Sequence, residues 1–232
     1  MHTNQTKIAV SKLAFFDSGQ GGLTIWNHIT QQFPGLQTIY LGDNARYPFG
    51  TKSAATVRRY TTEAILALTE MGADAIVVAC GTASSVAVPG LTTLFNLPIM
   101  GVVEGMSHQT VACLKRLRQT LGTVAVLGTP YTVKSQRFVQ ATKTHPDLLE
   151  LFRSTQMKID FWSQACPLFV PLVEEGFQAG SIVESSIHHY LQDIPLDTRV
   201  VLLGCTHFPR LIQPIRLYLE QRLNRPVRVY NL

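Results

Sequence analysis

The chain has 232 residues, 46% of them hydrophobic and only 15% charged, enough to bury the core of one large or two small domains and too apolar for a disordered segment. The opening MHTNQTKIAVSK lacks the apolar core of a secretory leader, and no run approaches the roughly 20 apolar residues of a membrane span, so a cytoplasmic protein is expected. A net charge of +5 permits anionic partners, small carboxylates and nucleic acid alike, without choosing between them.

Leu13 to Phe16 is a short apolar run with the pattern of a strand. The glycine-rich turn from Asp17 to Gly22 then leads into an amphipathic helical segment, Leu23 to about Phe33. This turn lacks the third glycine of a dinucleotide fingerprint and the lysine of a phosphate loop. Asp17 and Ser18 would stand at a helix N-terminus, where they either cap the helix or help to hold an anionic substrate group. Thr38 to Leu41 is strand-like, the polar loop from Gly42 to Gly50 follows, and a helix is predicted from about Ser53 to Met71. Ala75 to Cys80 is a second apolar strand, ending on a thiol, with a helix beginning at Ala83. Leu97 to Val103 is strand-like and ends at Glu104, and a helix is expected from Met106 to about Leu121.

The pattern then repeats. Thr123 to Leu127 is a strand, Gly128 to Thr132 a turn, and a helix is predicted through Lys134 to Ala141. Cys166 to Gly176 carries two prolines in an apolar run, which rules out a central strand and suggests a packed loop closing on a site. Val200 to Leu203 is uninterrupted and aliphatic, as in a strand buried on both faces, and Gly204, Cys205, Thr206 and His207 follow it. Open α/β sheets bind ligands at the carboxyl ends of their strands. One buried cysteine there is ordinarily a small hydrophobe. Two strand-end thiols, Cys80 and Cys205, in two similar α/β halves suggest a two-sided site instead.

The other thiols, Cys113 and Cys166, are assigned to packing. No CxxC pair is present, so neither a zinc ribbon, a redox motif nor a disulfide scaffold is expected, and no metal site is proposed. His188 and His189 have the setting of surface residues. Arg210, Arg216, Arg222, Arg225 and Arg228 near the C-terminus fit a solvated helix face, and nucleic acid is not expected as a partner.

Six blocks in order, FDSGQGGLT, YLGDNARYPFGTKS, ACGTAS, GTPYTVKS, CPLFVPLVEEG and LGCTHFP, resemble the signature blocks of the glutamate racemases, in the cofactor-independent aspartate/glutamate racemase superfamily. The resemblance spans nearly the whole chain. It implies a fold of two pseudo-symmetric α/β domains with mostly parallel sheets and a site in the cleft between them. Residues 1–100 with 211–232 would form the first domain, carrying Cys80, and residues 101–210 the second, carrying Cys205.

By this resemblance glutamate is the substrate and no cofactor is needed. Inverting an α-carbon requires an acid/base group on each face, one thiolate and one thiol. Cys80 would take the proton from the D-enantiomer and Cys205 from the L-enantiomer, assisted by Asp17 and His207, with Glu174 and Asp43 as supporting acids. Ser18, Gly81, Thr82, Thr132, Thr206 and the segment Pro48, Phe49, Gly50 would hold the substrate and the developing charge. The product would serve peptidoglycan synthesis, and a homodimer is compatible with the family.

The chain departs from the family pattern at Gly81, where an asparagine is usual, at Phe49 for a tyrosine, and at Gly105 for a proline. It also stops at Leu232, some tens of residues short of a typical member. Loss of one hydrogen bond to a charged group is worth roughly 1.5 to 3 kcal/mol, so Gly81 bears directly on substrate choice. A racemase of aspartate or another amino acid, or a weakened member acting as a binding or regulatory protein toward DNA gyrase, are the alternatives.

Overall fold

The structure, a computed structural model, describes residues 10–117, 121–155 and 158–231. The first half runs β1 (Lys12–Asp17), α1 (Leu23–Gln32), β2 (Gln37–Gly42), a 3-10 turn at Phe49–Thr51, α2 (Ala54–Glu70), β3 (Ala75–Val78), α3 (Gly81–Val86), α4 (Val88–Leu91) and β4 (Ile99–Gly101). Helix α5 (Val102–Leu117) leads to the second half: β5 (Leu121–Gly128), α6 (Pro130–Ser135), α7 (Arg137–Lys143), α8 (Pro146–Thr155), β6 (Lys158–Ala165), α9 (Phe169–Glu174), α10 (Ser181–Leu191), β7 (Thr198–Leu203), a 3-10 turn at Phe208–Leu211, α11 (Ile212–Leu223) and β8 (Arg228–Asn231).

Each half is a four-stranded parallel sheet, in the orders β2-β1-β3-β4 and β6-β5-β7-β8. The two orders are the same permutation, so the repeat suspected from the turns and thiols extends to topology. In each sheet the strand order reverses between the two central strands, β1 and β3 or β5 and β7, and the crevice for a ligand opens at their carboxyl ends.

The aliphatic runs explain the layering. Val200 to Leu203 of β7 are fully buried: Val201 and Leu203 join a core with α9, α10 and α11, while Val200 and Leu202 join the core on the opposite face with α5 and α7. A strand covered by helices on both sides needs apolar residues at every position rather than at alternate ones. Ser53 starts α2 by accepting a hydrogen bond from the Thr56 backbone N–H at 3.1 Å.

Four expectations are corrected. The segment from residue 211 does not return to the first domain: Ile215, Leu219 and Leu223 of α11 pack into the second core, and β8 pairs with β7, supplying the fourth strand that the topology of the first sheet also has. The proline-bearing run is not a loop but contains α9, because Pro171 falls in the first helical turn, where the backbone N–H has no intrahelical acceptor to lose. The single helix predicted through Lys134 to Ala141 is two, broken at Gln136 in the left-handed conformation, φ 55°. Helix α5 starts at Val102 rather than Met106. Strand β6 escaped notice because it is an edge strand whose Lys158, Asp160, Ser163 and Gln164 dilute its apolar pattern.

The residues on which the absence of a leader was judged lie mostly outside the described ones. Among the described residues no helix is long and apolar enough to cross a membrane. Two of the C-terminal arginines are engaged: Arg222 donates to the Gln192 carbonyl and Arg225 to those of Leu196 and Thr198.

Leu219 tests the placement of α11. It is fully buried in the second core, so Leu219→Ala should cost about 2–5 kcal/mol, read as a lowered urea midpoint. A change within about 0.5 kcal/mol, typical of surface positions, would contradict it.

Candidate active site

Both thiols stand just past the central strands. Cys80 caps α3: its Sγ accepts from the Ala83 N–H at 3.5 Å and donates to Ser18 Oγ at 3.4 Å. Asp17 closes β1 and is fully buried, with Oδ2 accepting from the N–H groups of Gly19 and Gly22 at 3.1 and 3.2 Å. Its Oδ1 is buried with no hydrogen-bond partner among the described residues. In the second half Gly204 ends β7 by donating its N–H to the Leu127 carbonyl at 2.7 Å, which presents Cys205, Thr206 and His207 at the sheet's edge. Thr129, one residue past β5, caps α6 and shares a 2.9 Å hydrogen bond with Thr132.

The halves meet at these ends. Thr82 and Thr129 are joined by a 2.9 Å hydrogen bond, and Tyr47 OH lies 3.3 Å from His207 Nε2. Gly50 packs on Thr129 so closely that a Cβ there would lie 2.8 Å from the threonine methyl, and only glycine allows that approach. Between the walls is a cavity of about 20 Å³, lined by both thiols, His207 and, of the residues expected to hold substrate, Ser18, Pro48, Phe49, Gly50, Gly81, Thr82 and Thr206. A second cavity of about 220 Å³ lies against Tyr47, Pro48, Gly50, Thr129 and Glu174.

Burial dominates the electrostatics. It pushes the Cys80 thiol up to about 11, helped by the charge of Asp17 and opposed by the hydrogen bonds of Ser18 and Ala83. Burial likewise raises Cys205, against the backbone N–H groups of His207 and Phe208. Asp17 is raised by burial, with the Gly22 N–H and the charge of His207 pulling the other way. Both thiols therefore carry their protons near neutral pH, and each needs an acceptor before it can act as a base.

His207 has the geometry of such an acceptor. Its Nε2 is 2.5 Å from Glu174 Oε1 and its Nδ1 is 3.8 Å from Cys205 Sγ. An imidazole donating through Nε2–H to the carboxylate turns the Nδ1 lone pair toward the thiol. Glu174, the last residue of α9, thus enters through His207.

Of the other expected residues, Asp43 and Thr132 stand off the wall. Asp43 is buried but bound to Arg46 Nε at 2.7 Å and does not line the cavity, so its carboxylate is committed to holding its own loop. Thr132 lies behind Thr129 rather than on the wall. Phe49 lines the cavity while its ring packs between Phe16 and Tyr60, at 6.0 and 5.8 Å, in the first core. Gly105, beside Glu104 in α5, has open space around it. Three wall residues were missed, Thr129, Tyr47 and Val170 of α9. Superposing the half-repeats would have exposed Thr129, which follows β5 as Ser18 follows β1. Nothing in the sequence separates Tyr47 from its neighbours in a polar loop. Among the described residues no three His, Cys, Asp or Glu side chains are grouped as metal ligands.

The raised thiol has a consequence for stability. Between pH 9.0 and about 11 the unfolded chain gives up the Cys80 proton while the folded chain keeps it, so this contribution is complete below pH 9.0 and lost as the pH rises through about 11. The loss is about 2 to 3 kcal/mol. The urea midpoint should fall across that window, and less steeply for Cys80→Ser; identical slopes would refute the raised value.

The chain is similar to known proteins in both sequence and fold. Glutamate racemase of Aquifex aeolicus is 38% identical over 209 residues, covering 90% of this chain and 76% of that protein. The solved glutamate racemase of Francisella tularensis, in complex with D-glutamate, superposes with a TM-score of 0.77 at 32% identity, over 94% of this chain and 75% of that one. That of Thermus thermophilus, in complex with β-chloro-D-alanine, gives 0.73 at 33%, over 96% and 86%. The model of the Asp/Glu/Hydantoin racemase family matches residues 23–230, from the start of α1 in the first half to β8 in the second, a span that includes both thiols and begins past Asp17 and Ser18. The chain belongs to the Asp/Glu/Hydantoin racemase family.

Proposed function

We propose that the chain interconverts L- and D-glutamate without a cofactor, using Cys80 and Cys205 as the two acid/base groups. The observation that carries this reading is the pair of thiols lining one cavity, one from each half and each with its own polar partner. The names of the relatives support glutamate as the substrate.

With L-glutamate bound, the Cys205 thiolate takes the α-proton and the Cys80 thiol delivers its proton to the opposite face, leaving D-glutamate, a Cys80 thiolate and a Cys205 thiol. The reverse reaction runs the same transfers backward. His207 relieves Cys205 of its proton through Nδ1, and Asp17, whose Oδ1 has no partner among the described residues, assists Cys80. The hydroxyls of Ser18, Thr82 and Thr206 are donors for the carboxylate on which carbanion charge develops. A volume of about 20 Å³ holds about one water molecule, so the halves part to admit a five-carbon diacid and close again on it. This chemistry belongs to a cytoplasmic enzyme supplying D-glutamate to peptidoglycan.

Gly81 on the wall keeps a second substrate in view, since it offers no side-chain amide and leaves room beside Cys80. In D₂O, proton NMR with chiral analysis should show α-deuterium incorporated with inversion from both glutamate enantiomers. Cys80→Ala and Cys205→Ala should each lose at least about 100-fold in racemisation. Exchange with aspartate but not glutamate would transfer the reading to another amino acid. Inertness of the folded chain toward every amino acid tried would end it.

A further inference from the structure

Tyr47 belongs to the loop between β2 and α2 in the first half, yet its partners lie in the second. Its hydroxyl is 3.3 Å from His207 Nε2, and its ring lies 5.6 Å from the imidazole, centroid to centroid, at an interplanar angle of 37°. The same nitrogen is 2.5 Å from Glu174, and the opposite nitrogen of the ring faces Cys205. Burial, and then the nearby Glu174 carboxylate, keep the phenol protonated. A neutral phenol beside Nε2 is a second acceptor for Nε2–H and gives the ring a face to lean on.

We propose that Tyr47 is a positioning residue for His207, holding the imidazole with Nε2 toward Glu174 and Nδ1 toward Cys205. The proposal rests on the racemase reading above. Because Tyr47 and His207 come from opposite halves, the full set of contacts exists only while the cleft is closed. The proton acceptor for Cys205 is therefore completed by closure itself, whereas Cys80 takes its contacts, Ser18 and Ala83, from its own half. Proton transfer at Cys205 depends on the tyrosine hydroxyl and transfer at Cys80 does not.

The chemistry of a racemase makes this asymmetry measurable. Enantiomers have equal free energy, so kcat/KM falls equally in both directions whichever transfer is slowed, and rates alone carry no direction. Isotope effects do. In Tyr47→Phe, which keeps the ring and loses the hydroxyl, kcat/KM should fall roughly 10-fold, the effect of about one hydrogen bond near a charge. The primary isotope effect with α-deuterated L-glutamate should rise, because removal of that deuteron by Cys205 becomes limiting. With α-deuterated D-glutamate it should shrink toward unity, because proton delivery by Cys205 becomes limiting after Cys80 has already taken the deuteron. Glu174→Gln, acting on the same imidazole, should show the same asymmetry, and the double variant should lose less than the product of the two.

An unchanged rate in Tyr47→Phe, or a loss with both isotope effects unaltered, overturns the positioning role and leaves the racemase reading intact. A wild-type chain that inverts neither enantiomer removes the reading and the role together.

Discussion

The close approach of the two halves is the constraint on which the cleft depends, and it is set where glycine meets threonine. Gly50 of the first half sits on Thr129 of the second, and Gly21 sits on Thr206, where an added Cβ would come within 2.7 Å of the threonine Cβ. With side chains at either glycine the walls would stand apart, and the Thr82–Thr129 hydrogen bond would have to break or shift. Gly21 lies in the turn between β1 and α1 and Gly50 in the 3-10 turn Phe49–Thr51, so neither interrupts a strand or an α-helix.

Closeness then determines the chemistry by excluding water. A thiol at the end of a helix has its thiolate favoured by the helix N–H groups, and Cys80 is placed to benefit through Ala83. Desolvation outweighs that help here, raising both thiols rather than lowering them. A buried site of this kind stores its protons, and its reactivity lies with whatever can take them away. This gives the partly exposed Glu174 its importance: it sits at the boundary between the cleft and solvent and holds the imidazole that faces Cys205.

Much of this arrangement was legible from residue order. The strands showed as apolar runs because burial on both faces leaves a simple signature, and the thiols, Asp17 and His207 were locatable from their distance past a strand end. The polar loop from Gly42 to Gly50 was less transparent. It holds a carboxylate and a phenol, Asp43 and Tyr47, and either could have been the one facing the cleft. Arg46 decides the matter by binding Asp43, and the choice between the two depends on a local ion pair that composition does not reveal. The C-terminal segment was misassigned for a different reason: the apolar face of α11 fits any core, and strand pairing between β7 and β8 is a long-range property.

The sequence by itself determined the α/β class, the two-fold repetition, the strand-end position of Cys80 and Cys205 and the family resemblance, because each is written in short-range pattern: aliphatic runs, turn residues and motif spacing. Tertiary structure decided which half owns β8, that Tyr47 and Thr129 join the cleft while Asp43 and Thr132 stand back, and that the thiols are held protonated. These outcomes depend on burial and on partners far apart in the chain, such as Tyr47 and His207, and desolvation exists only once such partners have closed around a group.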